Sequence, residues 1–195
     1  MDSHYRISLD AMGGDHGLSV TVPAALAALE RYDDISLVLV GDETQLKAAL
    51  ESHNALDNPR LTVHHASQTV GMDEPPALAL RGKKDSSMRK ALDLVQLGEA
   101  QDCVSAGNTG ALLAIAHFVL KMLPGVERPA LISALPTLQT DKHVFMLDLG
   151  ANVFSDSDTL FQFAVMGSTM AEEVDCIENP KVALLNMGEE DIKGS

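Results

Sequence analysis

The stretch Ser105-Ala106-Gly107-Asn108-Thr109-Gly110-Ala111 follows the apolar pair Cys103-Val104 and leads into a long apolar segment, Leu112 to Met122. This order predicts a strand, a glycine-rich turn and the start of a helix. The side-chain oxygen of Asn108 or Thr109 is suited to cap that helix. Its first amides would then face an anion, or a carbonyl that becomes one. A tight turn with a good cap and no ligand explains the same residues, so the stretch alone leaves both interpretations open.

Length and composition limit the possible classes of protein. The 195 residues suffice for one sizeable α/β domain, and an apolar content of 46% supports a packed core. A formal net charge of -14 argues against general nucleic-acid binding, although helix N-termini bind small phosphates without net positive charge. We find no signal-peptide pattern and no run of the ~20 apolar residues that span a membrane. We therefore expect a cytoplasmic protein that uses no metal and no cofactor.

Short apolar runs alternate with helical patterns along the chain. Strands are predicted over residues 6–12, 35–40, 61–65, 103–104, 130–135, 143–147 and 181–185, and helices over residues 19–32, 43–51, 88–97, 156–174 and from the glycine-rich turn to about 121. The alternation predicts an α/β fold of three αβα layers, with a doubly wound and mainly parallel sheet in a single domain, 1–195. Residues 130–135 and 143–147 are close enough to form a hairpin, which would make the sheet mixed. Gly167 predicts close approach of another element or of a second subunit.

Four predicted strands end in glycine with Asp or Asn, at residues 10–15, 105–110, 148–152 and 186–188. Ligands of open parallel sheets bind outside the carboxyl ends of the strands, so these endings would meet at one crevice. Ordinary βα loops are enriched in the same residues, which is the alternative. The chain has no nucleophile elbow, Walker loop, dinucleotide fingerprint or zinc spacing. Cys103, in a predicted buried strand, is expected to be inert. The pattern favours a site that positions substrates with amides and carboxamides.

Six motifs occur in order along the chain: Asp10-Ala11-Met12-Gly13-Gly14-Asp15, Ser86-Ser87-Met88-Arg89, Ser105 to Ala111, Arg128-Pro129-Ala130, Asp148 to Asn152, and Asn186-Met187-Gly188-Glu189-Glu190 with Lys193-Gly194. Together they closely resemble the PlsX family of bacterial phosphate acyltransferases. The resemblance covers essentially the whole chain. It implies a fold similar to isocitrate and isopropylmalate dehydrogenases and to phosphotransacetylase. Family members continue past Lys193-Gly194 with a strand-turn-helix segment carrying a Thr-Gly-Asn motif, so we expect this chain to be incomplete at its C-terminal end relative to the family.

The resemblance implies transfer of a fatty acyl group from acyl carrier protein to inorganic phosphate, giving acyl-phosphate for phospholipid synthesis. It also implies a homodimer, which can work at the membrane surface. Phosphate is itself the nucleophile and a thiolate leaves readily, so the main requirement is an oxyanion hole and a defined approach. Two alternatives stay open: a phosphate-binding domain that is catalytically incomplete, and a dehydrogenase of the same broad fold.

The expected catalytic residues are Lys193, which would neutralise phosphate charge, and Asn108, whose backbone amide lies among those of residues 108–110. Asn152 and Asn186 are expected to hydrogen-bond substrate oxygens. The full set of expected substrate-binding residues is Asp10, Gly13, Gly14, Asp15, Ser105, Gly107, Thr109, Gly110, Asn152 and Asn186. Because carboxylates repel phosphate, Asp10, Asp15 and Asp148 are expected to hold turns or orient donors, and Asp10 or Asp15 is a candidate proton acceptor.

A local basic surface is expected to bind the carrier. Acyl carrier protein is acidic and so is this chain, so docking requires a basic patch. The dense group of basic residues lies beside Pro75-Pro76, which is expected to break regular structure. Its members are Arg81, Lys83, Lys84, Arg89 and Lys90. A solvated helix start is the alternative interpretation of this group.

Overall fold

The computed structural model describes residues 5–140, 142–150, 152 and 154–185. The expected site residues Asn186 and Lys193 lie outside the described residues, as does the strand ending at 186–188. The chain divides into two compact units, Met1–Leu123 and Pro124–Ser195. Each unit is described by itself below, and the expectation of a single domain stays a prediction.

The first unit is built on a four-stranded parallel sheet. Its strands are β1 (Tyr5–Asp10), β2 (Ile35–Gly41), β3 (Leu61–His65) and β4 (Asp102–Ser105), in the spatial order β3-β2-β1-β4. All three strand pairs are parallel, and the register places Asp10 beside Ser105 of β4. The carboxyl ends of β1 and β4 therefore lie next to each other at one edge of the sheet.

Helices cover both faces of this sheet. They are α1 (Leu18–Arg31), α2 (Glu43–Ser52), α3 (Pro76–Gly82), α4 (Ser87–Gln96) and α5 (Thr109–Leu120). Side chains alternate along a strand, so Leu37 and Leu39 of β2 pack in one core cluster with residues of α1 and α2. Val38 and Val40 pack in another cluster with residues of α4. The predicted three-layer αβα arrangement is confirmed in this unit.

Helix α3 was not predicted, because Pro75-Pro76 was interpreted as a break. Proline is tolerated at the first position of a helix, where the amide would have no partner, and Pro76 occupies that position. The fully buried Ala79 fixes α3 to the core cluster that also contains Ala111 and Ile115 of α5. The interpretation of Pro76 as a break in regular structure was wrong for this reason.

The second unit contains the antiparallel pair β5 (Ile132–Pro136) and β6 (His143–Leu147), followed by α6 (Ser157–Asp175). The predicted hairpin is confirmed, but it forms its own two-stranded sheet, so the four-stranded sheet is purely parallel. A Cβ on Gly167 would lie 2.8 Å from Cδ1 of Leu147. The close neighbour expected at Gly167 is thus a side chain of the same unit.

Residues 181–185 do not form the predicted strand. Val182, Leu184 and Leu185 are exposed, and no strand of the described residues pairs with them. An apolar run becomes a strand only where a neighbouring strand supplies hydrogen bonds. The homodimer stays a prediction. Within the described residues, no helix has both the length and the apolar character to cross a membrane.

Candidate functional site

The turns that follow β1 and β4 are joined by side-chain hydrogen bonds. The hydroxyl of Ser105 donates to Oδ2 of Asp10 at 2.7 Å, and the amide of Gly107 donates to Oγ of Ser105 at 3.1 Å. Two of the four predicted strand endings therefore meet in one place, as expected. Of the other two, the ending at 148–152 belongs to the second unit, and the ending at 186–188 lies outside the described residues.

Two glycines after β1 allow the turns to touch. A Cβ on Gly13 would lie 2.5 Å from Oδ2 of Asp10 and 3.1 Å from the Gly107 nitrogen. Gly14 has a φ of +89°, and a Cβ there would lie 3.2 Å from the carbonyl oxygen of Ala106. Neither position accepts a side chain without displacing backbone or a buried carboxylate. The close approach that requires these glycines is made by the protein's own β4 turn.

Asp10 lies beneath the joined turns with only 1% of its surface exposed. Burial raises the pKa of its carboxyl, while the hydroxyls of Ser87 and Ser105 and the amides of Gly13 and Met12 oppose this rise by favouring the charged form. Only the Ser105 hydroxyl forms a hydrogen bond with good geometry, so Asp10 Oδ1 and Ser87 Oγ are buried without a partner among the described residues. In this position Asp10 joins the turn after β1 to the turn after β4, and its expected part in substrate binding stays a prediction.

Ser87 was not among the expected site residues. It occurs in the motif Ser86-Ser87-Met88-Arg89, whose first serine caps α4 by accepting the Arg89 amide. The second serine of the pair points its hydroxyl into the buried space around Asp10. Asp15, in contrast, is exposed at the surface of the loop before α1. That loop is held by Thr21, whose hydroxyl donates to the Ala11 carbonyl at 2.6 Å.

Asn108 is the N-cap of α5, as predicted. Its Oδ1 accepts the Ala111 amide at 3.0 Å. Its Nδ2 donates to three carbonyl oxygens of the segment before α3, those of Gly71 at 3.1 Å, Met72 at 2.8 Å and Glu74 at 2.9 Å. The side chain is therefore fully engaged inside the protein. The backbone amide of Asn108 is therefore the group that can still donate a hydrogen bond to a ligand.

The first amides of α5 form the open part of the site. Within the described residues, the amides of Asn108, Thr109 and Gly110 have no hydrogen-bond acceptor. Thr109 and Gly110 are exposed, so a ligand can reach them. Free amides at a helix N-terminus carry partial positive charge and bind anions. This end of α5 can hold a phosphate oxygen or stabilise an oxyanion.

Asn152 lies in the second unit and is engaged there. Its Nδ2 donates to Oδ1 of Asp148 at 3.0 Å and to the Pro129 carbonyl at 3.1 Å. Both amide hydrogens are used within the unit, and the expected bond from Asn152 to a substrate oxygen stays a prediction. Asp148 has a φ of +61° and also accepts the Asn152 backbone amide at 3.1 Å. The expectation that Asp148 holds a turn agrees with these bonds.

Cys103 is partly buried and packs against two core clusters of the first unit. Burial raises the pKa of its thiol to about 11, so the thiol stays protonated at neutral pH and is a poor nucleophile. The expectation that Cys103 is inert is in keeping with this environment.

An apolar cavity of about 490 Å³ lies along the α1 face of the sheet. Its lining includes Ile7 and Leu9 of β1, Ala25 of α1 and Val104 of β4. Leu9 and Val104 immediately precede Asp10 and Ser105, so the cavity ends next to the joined turns. No pattern in the sequence indicates this cavity, because its walls come from separate elements.

The five basic residues of the expected docking patch are only partly free. Lys83 pairs with Glu74 at 3.6 Å, Arg89 with Asp93 at 2.8 Å and Lys90 with Asp85 at 2.7 Å. Arg81 and Lys84 are exposed and have no ion-pair partner in the described part of the chain. The positive surface is therefore smaller than expected, and it is centred on α3 and the residues after it.

Comparisons with known proteins assign the family. The model of the family described as "Fatty acid synthesis protein" matches residues 5–195. The chain is 58% identical over 200 residues to a phosphate acyltransferase of Colwellia psychrerythraea, and 60% identical over 193 residues to one of Aeromonas salmonicida. The chain belongs to this family, which confirms the resemblance found in the motifs.

The matches cover this chain and only part of the relatives. They include 100% and 99% of this chain but 57% of each of the two relatives, so the chain spans about half the length of the proteins it matches. Among solved structures, the EutD phosphotransacetylase from Staphylococcus aureus matches with a TM-score of 0.59 and 21% identity, covering 86% of this chain and 53% of that one. This likeness supports the α/β fold.

Asp10→Asn is expected to stabilise the fold at neutral pH. An asparagine oxygen can still accept the Ser105 hydroxyl, and its amide would replace the unpaired Oδ1 beside the Ser87 hydroxyl, which can accept it. The folded-state pKa of Asp10 is raised, so its contribution to stability is full below the ordinary value of about 3.9 and is lost as the pH rises through the raised pKa. The variant should therefore show a higher urea midpoint than wild type at pH 8, and this difference should shrink as the pH is lowered.

Asp15→Asn is the matched control, because it neutralises an exposed carboxyl of the same loop. It should leave the urea midpoint nearly unchanged. A lower midpoint for Asp10→Asn at pH 8 would mean that the charged carboxylate stabilises the turns, contrary to this interpretation.

Proposed function

We propose that the protein transfers a fatty acyl group from acyl carrier protein to inorganic phosphate, giving acyl-phosphate. The observation that carries the proposal is the exposed set of free amides at the N-terminus of α5, beside the joined turns after β1 and β4. Family membership and the names of the relatives support the acyl transfer. The apolar cavity that ends at Leu9 and Val104 is an apolar surface close to the site, suited to an acyl chain.

The reaction makes few demands on side chains. A phosphate oxygen attacks the thioester carbonyl carbon, and the carbonyl electrons move to oxygen. The carbon–sulfur bond then breaks with its electron pair on sulfur, and the carrier's thiolate leaves. The amides of Thr109 and Gly110 would stabilise the oxyanion, or hold the attacking phosphate, at the positive end of α5. The buried Asp10 and Ser105 would keep these turns in place.

Other expected residues would bind phosphate or substrate oxygens. Lys193 would neutralise phosphate charge and Asn186 would hydrogen-bond a substrate oxygen. Gly14 would offer a further backbone amide to the anion, whereas the amide of the buried Gly13 faces the carboxyl of Asp10.

A second candidate is a phosphate-binding α/β domain without turnover. It is favoured by the finding that the chain spans about half the length of its relatives. The two candidates differ in product formation: both bind phosphate, and only the first yields acyl-phosphate.

Thr109→Pro tests the amides without removing the helix. Thr109 is the first residue of α5, where proline is tolerated, and Asn108 before it has a φ of −59° and a ψ of 108°, which suits a following proline. The substitution deletes one amide hydrogen. With phosphate and acyl carrier protein loaded with a fatty acyl group as substrates, acyl-phosphate formation measured by mass spectrometry should fall about 100-fold, the usual loss for one oxyanion donor.

Thr109→Ala is the control, since it keeps the amide and removes only the exposed side chain. It should behave like wild type. Equal rates for Thr109→Pro and wild type would refute the role of this amide. If the wild-type chain binds phosphate but yields no product, the second candidate is correct, and phosphate affinity becomes the quantity that the two variants test.

We also propose that the carrier docks on α3 and the residues that follow it. Leu78 is 60% exposed and lies one turn from Arg81 on the same helix, with the exposed Lys84 just beyond. An apolar side chain beside two unpaired cations suits a small acidic partner. Lys83, Arg89 and Lys90 are neutralised by carboxylates and contribute less than expected.

Charge reversal at Arg81 and Lys84 should weaken the affinity for acyl carrier protein, measured by fluorescence titration. The affinity for inorganic phosphate should barely change. The loss should shrink in ~1 M salt, where the screening length is about 3 Å. The control reverses Arg31 and Lys47, two exposed cations on α1 and α2, for the same change in net charge. A similar loss in the control would attribute the effect to net charge and dismiss the docking surface.

A further inference from the structure

We propose that Asn108 is a positioning residue, whose carboxamide clamps the segment 71–76 beside the N-terminus of α5 and thereby sets the position of α3. The clamp itself rests on the observed bonds, and its consequence for carrier binding rests on the proposed function. Two atoms of the Asn108 side chain make two different kinds of contact. Oδ1 caps α5, and Nδ2 binds the segment.

The segment has few other attachments. Gly71, Met72, Asp73, Pro75 and Pro76 are all exposed, between the buried anchors Val70 and Ala79. Its turn is closed internally, because the Glu74 amide donates to the Gly71 carbonyl and the Gly71 amide donates to a carboxylate oxygen of Glu74. These bonds shape the turn, and the Glu74 carboxylate also pairs with Lys83 at 3.6 Å, at the end of α3. The bonds from Asn108 to three carbonyl oxygens attach the turn to the start of α5.

The clamp also matters for charge. Three carbonyl oxygens converge on one amide group next to the N-cap of α5. The Gly71 carbonyl also accepts the Glu74 amide, whereas Asn108 is the donor found for the Met72 and Glu74 carbonyls within the described residues. Without Asn108 these two carbonyl oxygens would be unpaired, and their negative ends would oppose an anion at the helix N-terminus. A second contact ties the same parts together, because a Cβ on Gly110 would lie 3.0 Å from Cγ of Pro76.

The start of α3 depends directly on this segment. The amides of Leu78 and Ala79 both donate to the Pro75 carbonyl. Loosening residues 71–76 would therefore loosen the first turn of α3, which carries Leu78 and leads to Arg81. Asn108 thus links the surface proposed to bind the carrier with the amides proposed to act on the thioester.

Asn108→Ser separates the two kinds of contact. Serine is a good N-cap, so the cap is kept, while the hydrogens that bind the three carbonyls are lost. Asn108→Ala removes both. In the serine variant, hydrogen exchange measured by NMR at the amides of Glu74, Leu78 and Ala79 should speed up about tenfold, because the hydrogen bonds that hold the segment are lost. Exchange within α5 should stay at the wild-type rate, whereas the alanine variant should accelerate both.

Carrier affinity provides the functional readout. It should fall in the serine variant at an unchanged circular dichroism spectrum. Wild-type exchange at Leu78 and Ala79 in the serine variant would overturn the clamp. Faster exchange with unchanged carrier affinity would overturn the positioning role. If the wild-type chain binds no carrier, the proposed docking fails, and the exchange rates still decide whether Asn108 holds the segment.

Discussion

The hydrogen bond from the Ser105 hydroxyl to the buried carboxylate of Asp10 is the interaction on which the site depends. It joins the last residues of two neighbouring parallel strands. Because the same hydroxyl accepts the Gly107 amide, the turn after β4 is fixed to the turn after β1 by one short chain of bonds. The free amides of α5 begin immediately after this turn, so their position follows from the Ser105–Asp10 pair.

The buried carboxylate of Asp10 lowers the stability of the fold but fixes the positions of the two turns. A buried carboxylate with one unpaired oxygen, next to an unpaired serine hydroxyl, is costly, and natural proteins retain such groups mainly at sites of function. The carboxylate also lies close to the place proposed for an anion. A negative group is tolerable there because it is buried and its Oδ2 faces the Ser105 hydroxyl, while the amides of α5 open outward. The protein thus uses Asp10 to hold the turns and leaves the backbone to contact the ligand.

The sequence predicted what depends on neighbours along the chain. The order strand, turn, helix around Gly107 and the N-cap at Asn108 follow from local rules, and the continuous apolar run of β2 predicts burial on both faces. It could not predict contacts between distant segments. The carbonyls bound by Asn108 lie more than thirty residues earlier in the chain, and the partners of Lys83 and Asn152 required the folded geometry. Helix α3 was missed because a proline can either break regular structure or begin a helix. Residues 181–185 were misjudged because a short apolar run can be either a strand or an irregular segment.

The anion site formed by the joined turns and the N-terminus of α5 is tested most directly by an NMR titration of this chain with inorganic phosphate, in which the backbone amide shifts are followed. We expect the largest shifts at Thr109 and Gly110, smaller shifts at Gly13 and Gly14, and saturation at a single affinity. Shifts confined to other regions, with these amides unmoved at saturating phosphate, would contradict the claim that the joined turns and the N-terminus of α5 form one anion site.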